Sequence, residues 1–174
     1  QAGIGGFKGT NGTIVINGGN INATGQVTFS AGIGGGSHSQ YITRYVCGDI
    51  IINGGIVTAN GGKQAAGIGG GFKGQGGNVT VNGGVVTAIS ANNGSGIGGG
   101  REAPGGNFVQ NGGVVFAAIS RTDLSPGAIP IGNGSAGGSA GSATYSGGIT
   151  FLAGTGKLNR NEITLDMPFS LPAD

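Results

Sequence analysis

The sequence predicts an all-β chain wound as a right-handed parallel β-helix, a β-solenoid of about five coils with an irregular C-terminal cap. Three observations predict it. The motif Ala-Gly-Ile-Gly-Gly, with Ser for Ala in the last copy, recurs at intervals of 29, 35 and 29 residues. An Asn-Gly-Gly motif set between apolar runs follows each copy, and no 3.6-residue apolar stripe runs through any part of the 174 residues.

The first motif occupies Ala2 to Gly6, Ala31 to Gly35, Ala66 to Gly70 and Ser95 to Gly99. The second reads Ile16-Asn17-Gly18-Gly19, Ile52-Asn53-Gly54-Gly55, Val81-Asn82-Gly83-Gly84 and Gln110-Asn111-Gly112-Gly113. A fifth, degraded unit has Ile129-Pro130-Ile131-Gly132 and Tyr145-Ser146-Gly147-Gly148 in these places. Each unit offers three extended pieces: the Gly-Ile-Gly stretch, an alternating run such as Asn78-Val79-Thr80-Val81, and a second run such as Val85-Val86-Thr87-Ala88. Alternation and β-branching make them strands. Glycines every few residues would each weaken a helix by about 1 kcal/mol relative to alanine.

Asn-Gly between apolar runs is also a hairpin signal, so an antiparallel meander competes with the solenoid. In-register recurrence at a spacing typical of stacked repeats favours the solenoid. Like residues then stack: Ile4, Ile33, Ile68 and Ile97 in a buried column, and Asn17, Asn53, Asn82 and Asn111 in a structural column at a corner. There asparagine is expected to take the left-handed backbone and to bond along the stack. Residues 1–120 form the Gly-rich repeats; 121–174 form the degenerate last coil and cap, with strands over 148–153 and 161–165. The N-terminal end is expected to meet further coils or copies of the chain.

Composition narrows the function. Glycine and proline account for 50 of 174 residues, yet charged residues are only 8% and the apolar fraction is 36%, unlike a disordered chain. The lone Cys47 excludes an intrachain disulfide and reads as a small buried residue; with one histidine, His38, no zinc site can be assembled. No cofactor or metal is expected. No run reaches the roughly 20 apolar residues of a membrane helix, and a net charge of +2 leaves no footprint for nucleic acid.

The combination Ala-Gly-Ile-Gly-Gly-Gly, Ile/Val-Thr-Ile/Val-Asn-Gly-Gly and Val-Thr-Ala resembles the Gly-rich repeats of large secreted and surface proteins of bacteria, several of which are similar to right-handed parallel β-helix carbohydrate-binding or adhesin modules. The resemblance covers residues 1 to about 120. It implies an extracellular, non-catalytic, structural or adhesive role with a polysaccharide or a host or cell-surface glycan as partner. Gln1 stands directly before a repeat motif, so the chain is expected to be a mature or excised piece of a secreted protein.

Two further alignments bear on function. Placing the units on the first motif sets Phe7-Lys8, Ser37-His38, Phe72-Lys73 and Arg101-Glu102 together, which predicts a basic column of Lys8, Lys73 and Arg101 for an anionic glycan, with Phe7 and Phe72 as stacking surfaces. The bland alternative is a solvated loop whose charge serves solubility. Thr58 and Thr87 match in place, but Asn22 and Phe116 interrupt the row, which weakens an ice-binding reading.

Catalysis has little to draw on. A glycosidase needs two facing carboxylates and a lyase needs a base with acidic or basic partners. Asp49, Glu102 and Asp123 share no recurring spacing. A carbohydrate-active, polysaccharide-lyase-like relative and a phage or filament subunit are the alternatives to an adhesive module.

Overall fold

The computed structural model describes residues 1–7, 10–26, 28–36, 45–120 and 127–154 and the strand Thr164–Asp166. Every strand pair along the coils is parallel, and the strands collect into three long sheets that form the faces of a right-handed parallel β-helix. Right-handed winding is the expected sense for a strand that crosses over to a parallel neighbour.

The Ile-Gly sheet stacks Ile4–Gly5, Ile33–Gly34, Ile68–Gly69, Ile97–Gly98 and Ile131–Gly132. Next comes a sheet of Ile14–Ile16, Ile50–Ile52, Asn78–Val81, Asn107–Gln110 and Ser142–Tyr145, here called the amide sheet. The broad sheet follows the glycine pair: Asn20–Thr24, Ile56–Gly61, Val85–Ser90, Val114–Ile119 and Ile149–Ala153. A two-stranded pairing of Tyr45–Val46 with Gly74–Gln75 extends one corner.

Alternation decides what faces inward, because successive side chains on a strand point to opposite sides. Ile33, Ile68 and Ile97 stack as the predicted column and are essentially sealed from water. Ile50, Val79 and Phe108 form a second inward column, Val57, Val86 and Val115 a third, and Ala59, Ala88 and Ala117 a fourth. No ring larger than Phe108 is buried in the cluster; small aliphatic contacts repeated coil after coil make the core.

Glycine sets the closest approach. At Gly69 φ is +126°, and a Cβ there would lie 2.2 Å from the Gly98 carbonyl oxygen of the next coil. The equivalent Gly34 and Gly98 are in the same condition, so this face is backbone stacked on backbone. At the Asn-Gly-Gly corner the left-handed residue is the second glycine, with φ of +93°, +95°, +87° and +79° at Gly19, Gly55, Gly84 and Gly113. This corrects the expectation for asparagine: none of the corner asparagines has positive φ, because the glycine two places on already makes the turn.

Two coils are longer than 29 residues. Their extra residues fall between Gly34 and Tyr45 and between Ile119 and Ile131, and all three sheets resume in register after each. At the C-terminal end the chain reverses, and Thr164–Asp166 pairs antiparallel with Ile149–Ala153. The remainder of the predicted 161–165 strand lies outside the described residues. Approaching this end the core turns polar. Gln110 replaces the aliphatic residue of Ile52 and Val81, is fully buried, and bonds to the Thr150 hydroxyl and to the carbonyls of Gly113 (3.3 Å) and Ile149 (3.2 Å).

Gly69→Ala should therefore lose the folded state or at least several kcal/mol, since positive φ and a backbone clash coincide. Gly54→Ala, whose Cβ would meet only the Asn17 carbonyl at 3.4 Å with ordinary φ, should change stability by less than about 1 kcal/mol. Urea unfolding of the two variants checks the contrast.

Candidate functional site

The charged corner lies just past the Ile-Gly sheet. The fourth residues after the isoleucines are Phe72, Arg101 and Ser135; the fifth are Lys73, Glu102 and Ala136, all with positive φ (60°, 63° and 56°). Backbone bonds fix this register, the Lys73 N–H reaching the Arg101 carbonyl at 3.0 Å and the Glu102 N–H the Ser135 carbonyl at 2.8 Å. Lys73 thus stacks on Glu102, not on Arg101. The expected basic column is shifted by one residue and interrupted by a carboxylate: Lys73 Nζ lies 3.9 Å and Arg101 Nε 3.6 Å from the Glu102 oxygens. Half-exposed pairs of this kind contribute little to stability, but they offset the positive charge offered to an anion.

The aromatic residues separate as well. Phe72 is only 8% exposed; its ring packs on Phe29 at 5.1 Å, and Lys73 Nζ sits 5.2 Å from its centroid. Its faces are turned inward, away from any sugar. Phe7 is 65% exposed, and as the third residue after Ile4 it occupies a different column from Phe72. Lys8 and His38 lie outside the described residues.

The asparagine column is present as predicted. Asn53 Nδ2 donates to Asn17 Oδ1 (2.7 Å), Asn82 to Asn53 (2.7 Å) and Asn111 to Asn82 (2.8 Å). All four side chains are exposed, so this ladder is a surface feature built on the corner before the glycine pair.

A second ladder runs parallel to it four residues earlier. Asn78 Nδ2 donates to Asp49 Oδ1 (2.8 Å), Asn107 to Asn78 (2.9 Å), and the Ser142 hydroxyl to Asn107 Oδ1 (2.8 Å). Sequence reasoning missed it, although the signal was available as one polar residue at the same offset in each of four units. Both ladders share a polarity: each donor points toward the coil before it. Only the first rung is never required to donate, and the second ladder has its one carboxylate, Asp49, on that rung.

Between the ladders the outward residues of the amide sheet form a stripe. Val15 is 51% exposed, Ile51, Thr80 and Val109 are half-buried, and Thr144 is exposed. The broad sheet presents another outer face, with Ile56, Val85 and Ile149 aligned and Thr58, Thr87, Phe116 and Phe151 beside them. Phe116 and Phe151 stack on each other at 4.6 Å and 7°. Each ring thus has one face covered by the other.

Cys47 is buried, its single S–H within reach of two acceptors, Asn11 Oδ1 (2.7 Å) and Gly69 O (3.2 Å), and burial pushes its pKa from 9.0 to about 12. Neighbouring Tyr45 bonds Gly36 O and Gly71 N, and burial raises its hydroxyl pKa likewise. These are packing groups held neutral. A recess lined by Val79, Ile97, Phe108 and Ile131 has a volume of about 10 Å³, room for a single water. Among the described residues no three His, Cys, Asp or Glu side chains gather as metal ligands.

Geometry of this kind defines a parallel β-helix protein whose outer surface repeats with its coils. The beta helix repeat family model matches residues 14–37, 50–72 and 76–101, and each match takes in one strand of the amide sheet, one of the broad sheet and one of the Ile-Gly sheet. Three consecutive coils of the chain are thus similar to β-helix repeats. No curated protein and no solved structure shows significant similarity to it.

Ladder polarity makes unequal positions of equivalent-looking asparagines. Asn82→Asp removes the donor to Asn53 and sets two acceptors face to face, so it should destabilise by about 1–2 kcal/mol at pH 7; Asn17→Asp, on the accepting rung, should change little. Denaturant midpoints at pH 7 and pH 3 test this, because the protonated acid at position 82 regains a donor and should recover stability.

The thiol supplies a separate check. A folded pKa of about 12 above the usual 9.0 means the neutral thiol is favoured by folding, so its contribution holds below pH 9 and is lost as pH rises toward 12. Native Cys47 should react with a thiol reagent at pH 8 at least about a hundredfold more slowly than the unfolded chain, read by absorbance with and without denaturant.

Proposed function

We propose that the chain is a non-catalytic structural and adhesive β-helical module of a secreted or surface protein of bacteria, and that it holds glycans along its length. The observation that carries this reading is the pair of exposed side-chain ladders, which place the same polar groups on consecutive coils. A surface that repeats with the coil suits a ligand that also repeats, and polymers of sugars are such ligands. The Gly-rich repeat type supports the extracellular setting.

The two described carboxylates within the coils support a non-catalytic role. Asp49 accepts from Asn78 at one end of a ladder, and Glu102 sits between Lys73 and Arg101 at a different corner. Glu102 stands five residues before the row of Asp49, Asn78 and Asn107 and two coils from Asp49, and each carboxylate is engaged by other side chains rather than set opposite the other as hydrolysis of a glycoside requires.

A screen of the purified chain against arrayed polysaccharides tests the reading. Selective retention of extended polysaccharides is expected. Failure to retain any of them, neutral or anionic, would reduce the module to a spacer. Lys73→Ala/Arg101→Ala, the charged-corner variant, should lose less than about threefold in retention, since Glu102 already offsets those charges.

A further inference from the structure

The outer face of the amide sheet is bordered on both sides by fixed hydrogen-bonding groups, as no other sheet face is among the described residues. Each interior asparagine of the ladders, Asn53, Asn82, Asn78 and Asn107, spends one N–H and one lone pair on its neighbours. An amide carries two donors and two acceptor sites, so each interior rung retains one of each, facing solvent. Because the neighbours hold the side chain in place, these groups can bind without the rotamer ordering that normally opposes a surface contact.

Three quantities specify what fits. Rungs repeat at the strand spacing of about 4.8 Å, and the ladders stand four residues apart, about 13 Å along the strand. With hydrogen bonds of about 2.9 Å reaching in from both sides, the ligand between them is a ribbon roughly 7 Å wide. Its underside meets the stripe of Val15, Ile51, Thr80 and Val109, which wants C–H rather than charge. No lysine or arginine stands in the stripe or in either ladder, and Asp49 is the one charged residue among them.

Resting on the glycan reading above, we infer that this face is the binding site and that its ligand is a neutral, extended polysaccharide lying along the coil axis. A ribbon of β-linked pyranose rings has the required form: ring C–H groups on the flat faces, hydroxyls along both edges, and a length per sugar close to one coil rise. An anionic polymer is disfavoured, since the only charge it meets is Asp49. The stacked Phe116–Phe151 pair on the broad sheet covers one face of each ring and has no ladder of fixed amides beside it among the described residues.

The test is affinity electrophoresis of the full chain in gels containing hydroxyethyl cellulose or glucomannan, with polygalacturonate as the anionic comparison. The blocking variant is Ile51→Arg/Thr80→Arg, which fills the stripe and leaves both ladders in place; Thr87→Arg on the broad sheet is the control. Retardation by the neutral polymers is expected, weakened at least about tenfold in the blocking variant and unchanged in Thr87→Arg, with the β-type circular dichroism preserved. If the double variant does not fold, Thr80→Arg alone is read in the same way. Retardation that survives the block, or that occurs only with polygalacturonate and disappears in Lys73→Ala/Arg101→Ala, overturns the face while leaving glycan binding standing. No retardation of the unaltered chain by any polymer overturns both.

Discussion

The structure depends on direct contact between backbones of successive coils at the Ile-Gly sheet. A carbonyl of one coil occupies the space where the next coil's side chain would begin, about 2.2 Å from an added Cβ at Gly34 and Gly69. Isoleucine on one side of this contact fills the core, and glycine on the other admits the neighbouring chain. The pair is the smallest unit that both buries apolar area and lets coils close to the hydrogen-bonding distance of a sheet. Without it the remaining two sheets would splay, because their strands are held at the same rise as this corner.

That constraint explains why coil length can vary while coil shape cannot. The two longer coils place their additional residues between strands, and the inward columns continue across them without a change of face. A slip of one residue within a strand would turn every inward isoleucine outward. The Asn-Gly-Gly corner prevents the slip by fixing three residues between the amide and broad sheets and a left-handed glycine in the same place each time.

Much of this was legible in the sequence. The repeat spacing fixed the coils, alternation fixed the inward columns, and Asn17, Asn53, Asn82 and Asn111 announced their ladder. The basic column failed although its register was legible: the 29-residue spacing that aligns Ile68 with Ile97 also aligns Lys73 with Glu102 and Phe72 with Arg101, and the positive φ shared by Lys73 and Glu102 keeps that register in the structure. Grouping residues by charge rather than by position hid the carboxylate, and backbone bonds hold the positional register. The second ladder hid for another reason. Asp49, Asn78, Asn107 and Ser142 differ in identity, and what unites them is position and the direction in which each can donate.

Direction is the property that links the fold to its surface. A column of identical amides would be symmetric if each could bond equally either way, but a chain of donors all pointing to the preceding coil has a first rung and a last rung that are chemically different. The second ladder has a carboxylate at its accepting end and a hydroxyl at its donating end, the arrangement that satisfies each rung without a clash of acceptors. The same polarity orders the groups left over for a ligand, so a polymer bound between the ladders meets donors and acceptors in a fixed sequence along the axis. A sugar chain, whose two ends differ, would therefore bind in one orientation, and that orientation is imposed by the direction in which the polypeptide itself winds.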